Sequence, residues 1–105
     1  MTMYIDMRWE DEDGRELAAV ISPPRSRFIA LVPGNPTQEY HCLGRLSPYG
    51  DVSFPGLQIP QLIQDLEKLM PHCETDETRR HVVAMLDVVR QASRHIHSCI
   101  RFSGD

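Results

Sequence analysis

The chain has 105 residues, a length that predicts a single domain spanning residues 1–105. Its 15 acidic and 11 basic side chains give a formal net charge of −4 with histidine neutral. This balance argues against a nucleic-acid-binding protein, because neutralising phosphates requires an excess of lysine and arginine. Hydrophobic residues make up 41% of the chain and charged residues 25%, which is ordinary for a globular protein and argues against wholesale disorder.

The first residues and the cysteines bear on the cellular compartment. Residues 1–10 show neither a cationic start nor an apolar run, so no signal peptide is predicted. No stretch approaches the ~20 apolar residues that a membrane-spanning helix needs. Cys42, Cys73 and Cys99 are odd in number and far apart, which favours reduced thiols over a disulfide framework. We therefore expect a cytoplasmic protein with no membrane partner.

The N-terminal part of the chain predicts a β-hairpin. Apolar and polar residues alternate over residues 3–10, the period of two that is expected for a half-buried strand. Asp13 and Gly14 form a pair that tolerates positive φ, and the apolar residues 17–21 follow as the second strand. Trp9, the only tryptophan, falls on the apolar face of the first strand and is expected in the core.

Three further segments of the N-terminal half have the composition of strands. Residues 28–32 form a continuous apolar run, which predicts a strand that is buried on both faces. Residues 40–46 are a weaker strand candidate, and residues 51–54 are a short one. Turn-forming residues rich in proline and glycine separate these segments.

The second half of the chain changes to helical periodicity. Apolar residues recur at helical spacing between Leu57 and Met70, with Pro60 suited to the first turn and Pro71 ending the helix. On this pattern, Asp65 belongs to the polar side of the helix. A second helix is predicted to begin after a cap and to carry its apolar stripe as far as residue 92.

The ends of these later elements complete the predicted fold. Thr75 or Asp76 can cap the second helix, with Glu77 in its first turn. A final strand over residues 96–102 would separate two faces: Ile96, Ser98, Ile100 and Phe102 on one, and His95, His97, Cys99 and Arg101 on the other. This order predicts an α+β domain, an antiparallel sheet of about four or five strands with two helices packed on one face.

Histidine and cysteine side chains are the metal ligands to consider first. The last predicted strand would place His95, His97 and Cys99 on one face, with about 7 Å between alternate residues. No C-x-x-C or H-x-x-x-H pair is present, which favours cysteines that fill small apolar spaces and histidines at the surface. No cofactor is predicted. A small metal-dependent or acid–base enzyme using this strand is the alternative.

The acidic segment around the predicted hairpin turn is the most distinctive charged feature. A calcium-loop alignment on Gly14 fails, because Trp9 and Val20 fall where carboxylate ligands are required. Clustered charge of one sign steers association with an oppositely charged protein. The carboxylates predicted to bind a partner with a basic surface are Glu10, Asp11, Glu12, Asp13 and Glu16. The structural alternative is a solvated hairpin tip.

Three stretches of the chain form a recognisable order of motifs. Residues 43–51 read LGRLSPYGD, residues 57–67 read LQIPQLIQDLE, and residues 97–105 read HSCIRFSGD. This order resembles a group of small uncharacterised bacterial proteins, in which a Pro-x-Gly-Asp turn, a Leu-Gln helix, an acidic loop and a long helix precede the ending His-x-x-h-x-Phe-x-Gly-Asp, where h is apolar. The resemblance covers residues 43–70 and 97–105 and implies a single-domain fold and a bacterial origin.

The resemblance directs attention to Asp51 and Asp105, each of which follows a glycine. A structural reading has both aspartates accept hydrogen bonds from neighbouring backbone N–H groups. A functional reading has them converge with His97 on an acid–base site. Small proteins of this group, without a signal peptide, are also candidates for immunity proteins encoded beside secreted toxins.

The absence of catalytic signatures directs the functional prediction. Neither a G-x-S-x-G elbow nor a phosphate-binding loop is present, so we expect a binding protein rather than an enzyme. The most concrete form of this prediction is an immunity-type protein that neutralises a bacterial toxin by direct binding. A subunit of a larger assembly and a homodimer are alternatives, because each also needs an exposed recognition surface.

Overall fold

The strands of the computed structural model form one antiparallel sheet in the order β2-β1-β4-β3. The structure describes residues 4–33, 39–47, 50–95 and 97–104. The strands are β1 (Ile5–Asp11), β2 (Glu16–Val20), β3 (Asp51–Pro55) and β4 (Ser98–Gly104). β1 and β4 pair along their whole length, so the first and last strands of the chain occupy the centre of the sheet.

β1 and β2 are joined by the hairpin that the alternation predicts. The N–H of Gly14 donates to the carbonyl oxygen of Asp11 (3.0 Å), and the N–H of Asp11 donates to the carbonyl oxygen of Arg15 (2.9 Å). Gly14 has a φ of 80° and is alone among the described residues in the left-handed region. The turn therefore depends on glycine at this position, while Asp13 keeps a negative φ.

The helices are α1 (Phe28–Leu31), α2 (Ile59–Leu69) and α3 (Asp76–Ala92). Thr75 caps α3, because its Oγ1 accepts from the N–H of Thr78 at 3.2 Å. α2 packs against β3, and α3 packs against β1, β2 and β4. The predicted α+β architecture is confirmed, with Met7, Trp9, Ile100, Phe102 and Phe54 among the buried side chains that the strands turn toward the helices.

Residues 28–31 form a single helical turn, so the buried strand predicted from the apolar run is wrong. The backbone N–H of Arg27 donates to Thr78 Oγ1 (2.9 Å), and that of Phe28 donates to Ser26 Oγ (3.2 Å). Side chains thus satisfy the amides at the start of the turn, which buries Phe28 without a neighbouring strand. In so short a run, apolar composition cannot separate a buried strand from a buried helical turn.

The strand predicted for residues 40–46 is also wrong, since this segment contains a 3-10 helix at Leu43–Arg45. One carboxylate oxygen of Asp65, Oδ2, accepts from the N–H of Cys42 (2.7 Å) and from the N–H of Leu43 (3.0 Å). Two consecutive amides that point to one acceptor cannot alternate as the donors of a β ladder do.

Asp65 is fully buried, although the helical pattern places it on the polar side of α2. Its second oxygen, Oδ1, accepts from Gln61 Nε2 at 2.8 Å, so the carboxylate makes three hydrogen bonds. A buried carboxylate is tolerated when its oxygens accept hydrogen bonds of this kind. Asp65 therefore connects the chain before β3 to the centre of α2.

We predict that Asp65→Ala lowers the free energy of unfolding by about 3 kcal/mol or more, because it leaves two buried amide donors without an acceptor. Asp65→Asn should cost less, since an amide oxygen can still accept from both. Urea denaturation of the variants measures this order. Glu67→Ala on the exposed side of α2 is the matched control, expected to cost less than about 1 kcal/mol. Equal losses for D65A and E67A would contradict the assignment.

Candidate functional site

The five carboxylates predicted to bind a partner lie around the hairpin turn, but two of them are matched by arginines. Glu10 Oε1 lies 3.8 Å from Arg101 Nε, and the Glu10 side chain is only 14% exposed. Glu16 Oε1 lies 3.2 Å from Arg8 Nε. Both ion pairs join neighbouring strands on the open face of the sheet. Glu10 and Glu16 therefore contribute little uncompensated charge to this surface.

The remaining three carboxylates form the turn itself. Oδ1 of Asp11 accepts from the N–H of Asp13 (3.0 Å) and from that of Arg15 (2.8 Å), which holds the turn in one conformation. Glu12 and Asp13 are exposed. Glu12 Oε2 lies 4.0 Å from His97 Nδ1, and Asp13 makes no ion pair with any residue that the structure describes.

Two exposed leucines lie at the same end of the sheet, where β1 and β3 finish and β4 begins. Leu57 belongs to a 3-10 helix that follows β3 and is 97% exposed. Leu17 in β2 is 46% exposed. We refer to this surface as the acidic end and define it by Glu12, Asp13, Leu17, Leu57, His95 and His97.

Two shallow depressions meet at His95 on the acidic end. One, of about 450 Å³, is lined by Pro55, Leu57 and His95 among others, and the second, of about 360 Å³, includes Leu17 and His95. The His95 ring lies against the buried Trp9, with 5.3 Å between the ring centroids. The acidic end therefore has the shape of a recognition surface, with one exposed leucine lining each depression.

The predicted alignment of His95, His97 and Cys99 on one strand face is wrong. α3 ends at Ala92, the N–H of His95 donates to the carbonyl oxygen of Ala92 (3.0 Å), and β4 begins only at Ser98. Both histidines therefore lie in the preceding turn, while Cys99 lies opposite Glu10 in the sheet. Across residues 4–33, 39–47, 50–95 and 97–104, no three His, Cys, Asp or Glu side chains group closely enough to hold a metal ion. Ile96 lies outside these ranges.

Asp51 and His97 do not share a site. Asp51 begins β3 and pairs with Ser103, whereas His97 precedes the opposite end of β4. Ser103 lies six positions after His97 along an extended chain, a distance of about 20 Å. The functional reading, in which Asp51 and His97 converge, is therefore wrong for this pair, and Asp105 lies outside the described residues.

A polar pair formed by the half-buried Ser26 and the buried His81 is not apparent from the sequence. Ser26 Oγ lies 2.7 Å from Nδ1 of His81 and accepts from the N–H of Phe28. Because the Ser26 hydroxyl can both donate and accept, the tautomer of His81 decides which of the two groups donates in this contact. Nε2 is buried and has no hydrogen-bond partner among the described residues. The spacing of His81 four residues before the buried Met85 is the signal that could have placed it on the inner side of α3.

Burial governs the protonation of His81 and of the thiols. It lowers the pKa of His81 to about 4, although nearby Asp6 acts in the opposite direction. Burial also raises the pKa of the Cys42 thiol to about 11, with a further contribution from Asp65. The three cysteines are free thiols, and burial raises the pKa of Cys73 and Cys99 as well. These thiols are not activated as nucleophiles at neutral pH.

Comparisons with protein-family models, with curated proteins and with solved structures gave no match to this chain. Within the part of the chain that the structure describes, no helix combines the length and the apolar character needed to cross a membrane.

The buried neutral His81 predicts a loss of stability in acid. Its folded pKa of about 4 lies below the ordinary 6.5, so between these pH values the unfolded chain binds a proton that the native protein excludes. Lowering the pH from 7 to 4.5 should therefore remove about 2 kcal/mol of stability through this group alone.

His81→Gln isolates this contribution, because all other titrating groups are common to both proteins. Urea denaturation at several pH values should show the variant less stable at pH 7 and the gap closing toward pH 4.5. Stability curves that stay parallel over this pH range would show that His81 is not held in its neutral form.

Proposed function

We propose that this protein is a cytoplasmic protein-binding module, and more concretely an immunity-type protein that neutralises a bacterial toxin by binding to it. The observation that carries the proposal is the acidic end. There the almost fully exposed Leu57 and the exposed carboxylates of Glu12 and Asp13 share one end of the sheet. Apolar anchors beside polar groups are the usual composition of a protein interface.

The turn supports binding because it is already ordered before a partner arrives. The side chain of Asp11 accepts two backbone hydrogen bonds within the turn, and Gly14 supplies the left-handed conformation. The backbone that carries Glu12 and Asp13 is therefore held in one conformation. A surface that is pre-organised in this way loses less conformational entropy on association.

The charges of the acidic end favour a partner whose own surface is basic. Arg15 and Arg94 also lie near this end, so its negative charge is concentrated at the tip of the turn, in Glu12 and Asp13. Enzymes that act on nucleic acids carry such basic surfaces, and a bound acidic protein would block access of the substrate. In this proposal Leu57 supplies apolar contact area and the two carboxylates steer the encounter.

A subunit of a larger assembly is the second candidate, and the same observation favours it, because Leu57 would be buried in any lasting assembly. The two candidates differ in what the partner loses. A toxin loses its activity when the protein binds, whereas an assembly partner does not. Measuring the partner's activity in the complex separates them.

The test begins with affinity capture of the tagged protein from the lysate of its native cells at low salt. A stoichiometric partner should be recovered, and its association with Glu12→Lys/Asp13→Lys should be about tenfold slower at low salt than with the wild type. Leu57→Asp should weaken the complex by about tenfold or more, chiefly through faster dissociation.

Asp51→Lys/Glu74→Lys is the matched control, because it changes the net charge equally at two exposed positions away from the acidic end. Its association rate should stay within about twofold of the wild type. Failure to recover a stoichiometric partner would count against a binding function. Equal slowing by both double variants would show that overall charge matters and the acidic end does not.

A further inference from the structure

β2 lies at an edge of the sheet but has the composition of a central strand. In the described sheet it pairs with β1 only. From residue 16 to residue 21 the sequence reads ELAAVI, with Glu16 as the single charged side chain. Continuous apolar runs are typical of strands that are covered on both faces. The composition of β2 therefore indicates that its exposed apolar side chains, Leu17 among them, are covered by another chain.

The charged and proline residues that usually protect an exposed edge are largely missing from β2. Edge strands commonly carry lysine, proline or a bulge, which prevent pairing with other chains. Residues 16–22 contain no lysine and no proline, and Leu17 and Ile21 are exposed, Ile21 to 62%. The one irregularity in the pairing with β1 falls at Leu17, because Trp9 pairs with Ala18 and Glu10 pairs with Glu16. The register of Ala18, Ala19 and Val20 is continuous.

A stripe of residues on the exposed side of α3 continues the surface formed by the free edge of β2. A shallow depression of about 590 Å³ runs along the exposed side of the helix, past Arg80, Val83, Ala84 and Asp87. A second depression, of about 290 Å³, shares Arg80 and Ala84 with the first and extends to Ile21 at the end of β2. The free edge of β2 and the outer side of α3 therefore form one surface.

We infer that two copies of this chain associate through β2, antiparallel across a two-fold axis at Ala19, so that their sheets become continuous. This register places Leu17 opposite Ile21 of the second copy, and Ala18 opposite its Val20. The two exposed apolar side chains of each strand would then be buried against each other. Each β2 would gain a second neighbouring strand and the cover that its composition indicates.

The charges on α3 support the same two-fold axis. Arg80 and Asp87 lie seven residues apart on one side of the helix, with Val83 and Ala84 midway between them. When a two-fold axis passes this midpoint, α3 of the second copy runs antiparallel to the first. Arg80 of each copy then lies against Asp87 of the second copy, and Val83 of each lies against its Ala84. This arrangement is isologous, as a closed dimer requires. Because Ala84 and Val20 line the same depression, the midpoint lies beside β2.

The distances allow both contacts at once. Neighbouring strands lie ~4.8 Å apart, so a helix centred over β1, with contacts to β2 and β4, lies roughly 14 Å from the equivalent helix of the second copy. Side chains as long as arginine and aspartate bridge this separation, since packed helices are spaced at about 8–10 Å. This dimer shares only Leu17 with the acidic end. It does not involve Leu57, Glu12 or Asp13, which carry the proposed function, so it does not depend on that function.

Sedimentation equilibrium at micromolar concentration, with a reducing agent to keep Cys99 free, tests the inference. The wild type should show twice the mass of the 12.0 kDa chain. Leu17→Lys/Ile21→Lys places cations on the free edge and should weaken the dimer by about tenfold or more. Leu57→Lys, which exchanges an even more exposed leucine on another element, should leave the dimer unchanged.

A charge exchange on α3 provides the second test. Arg80→Asp and Asp87→Arg, each made alone, place like charges across the axis and should each weaken the dimer, whereas the double exchange R80D/D87R should restore it. A wild type of single-chain mass throughout the micromolar range would overturn the inference. A dimer that L17K/I21K leaves intact, or that the double exchange fails to restore, would also overturn it.

Discussion

Hydrogen bonds that two helix side chains accept from backbone N–H groups between β2 and β3 are the constraint on which this fold depends. Asp65 of α2 accepts from the N–H groups of Cys42 and Leu43, and Thr78 of α3 accepts from that of Arg27. Each bond satisfies an amide that no neighbouring strand serves, and such groups cannot be buried without a partner. Both acceptors lie on helices that cover the same face of the sheet. The chain between β2 and β3 is therefore anchored on the helical side.

This anchoring decides which surfaces are free to bind. The helices and the segment anchored on them cover one face of the sheet, whereas the acidic end and the free edge of β2 lie outside this covered face. The two proposals use these two surfaces, which share only Leu17. In the proposed antiparallel dimer the hairpin turns of the two copies point in opposite directions. Each copy would keep Leu57, Glu12 and Asp13 of its own acidic end accessible, so that one dimer could bind two partners.

The sequence predicts those elements whose conformation is decided by local contacts, and it fails for those that depend on residues far along the chain. The alternation in β1, the helical stripes of α2 and α3 and the cap at Thr75 are local signals, and the structure confirms them. The segments at residues 28–32 and 40–46 differ from their predicted form because their conformation depends on acceptors far along the chain. Likewise, the acidic residues can be identified by sequence. Their pairing, such as Glu10 with Arg101, depends on the strand order.

Amide hydrogen exchange at Cys42 and Leu43 tests the central role of the anchor most directly. If Asp65 holds this segment, both amides open only when α2 unfolds, so their exchange should be as slow as that of the buried residues of α2 such as Leu62 and Leu66. Exchange at the rate of Glu12 in the exposed turn would show that the segment opens independently of α2. That result would contradict the anchoring role of Asp65.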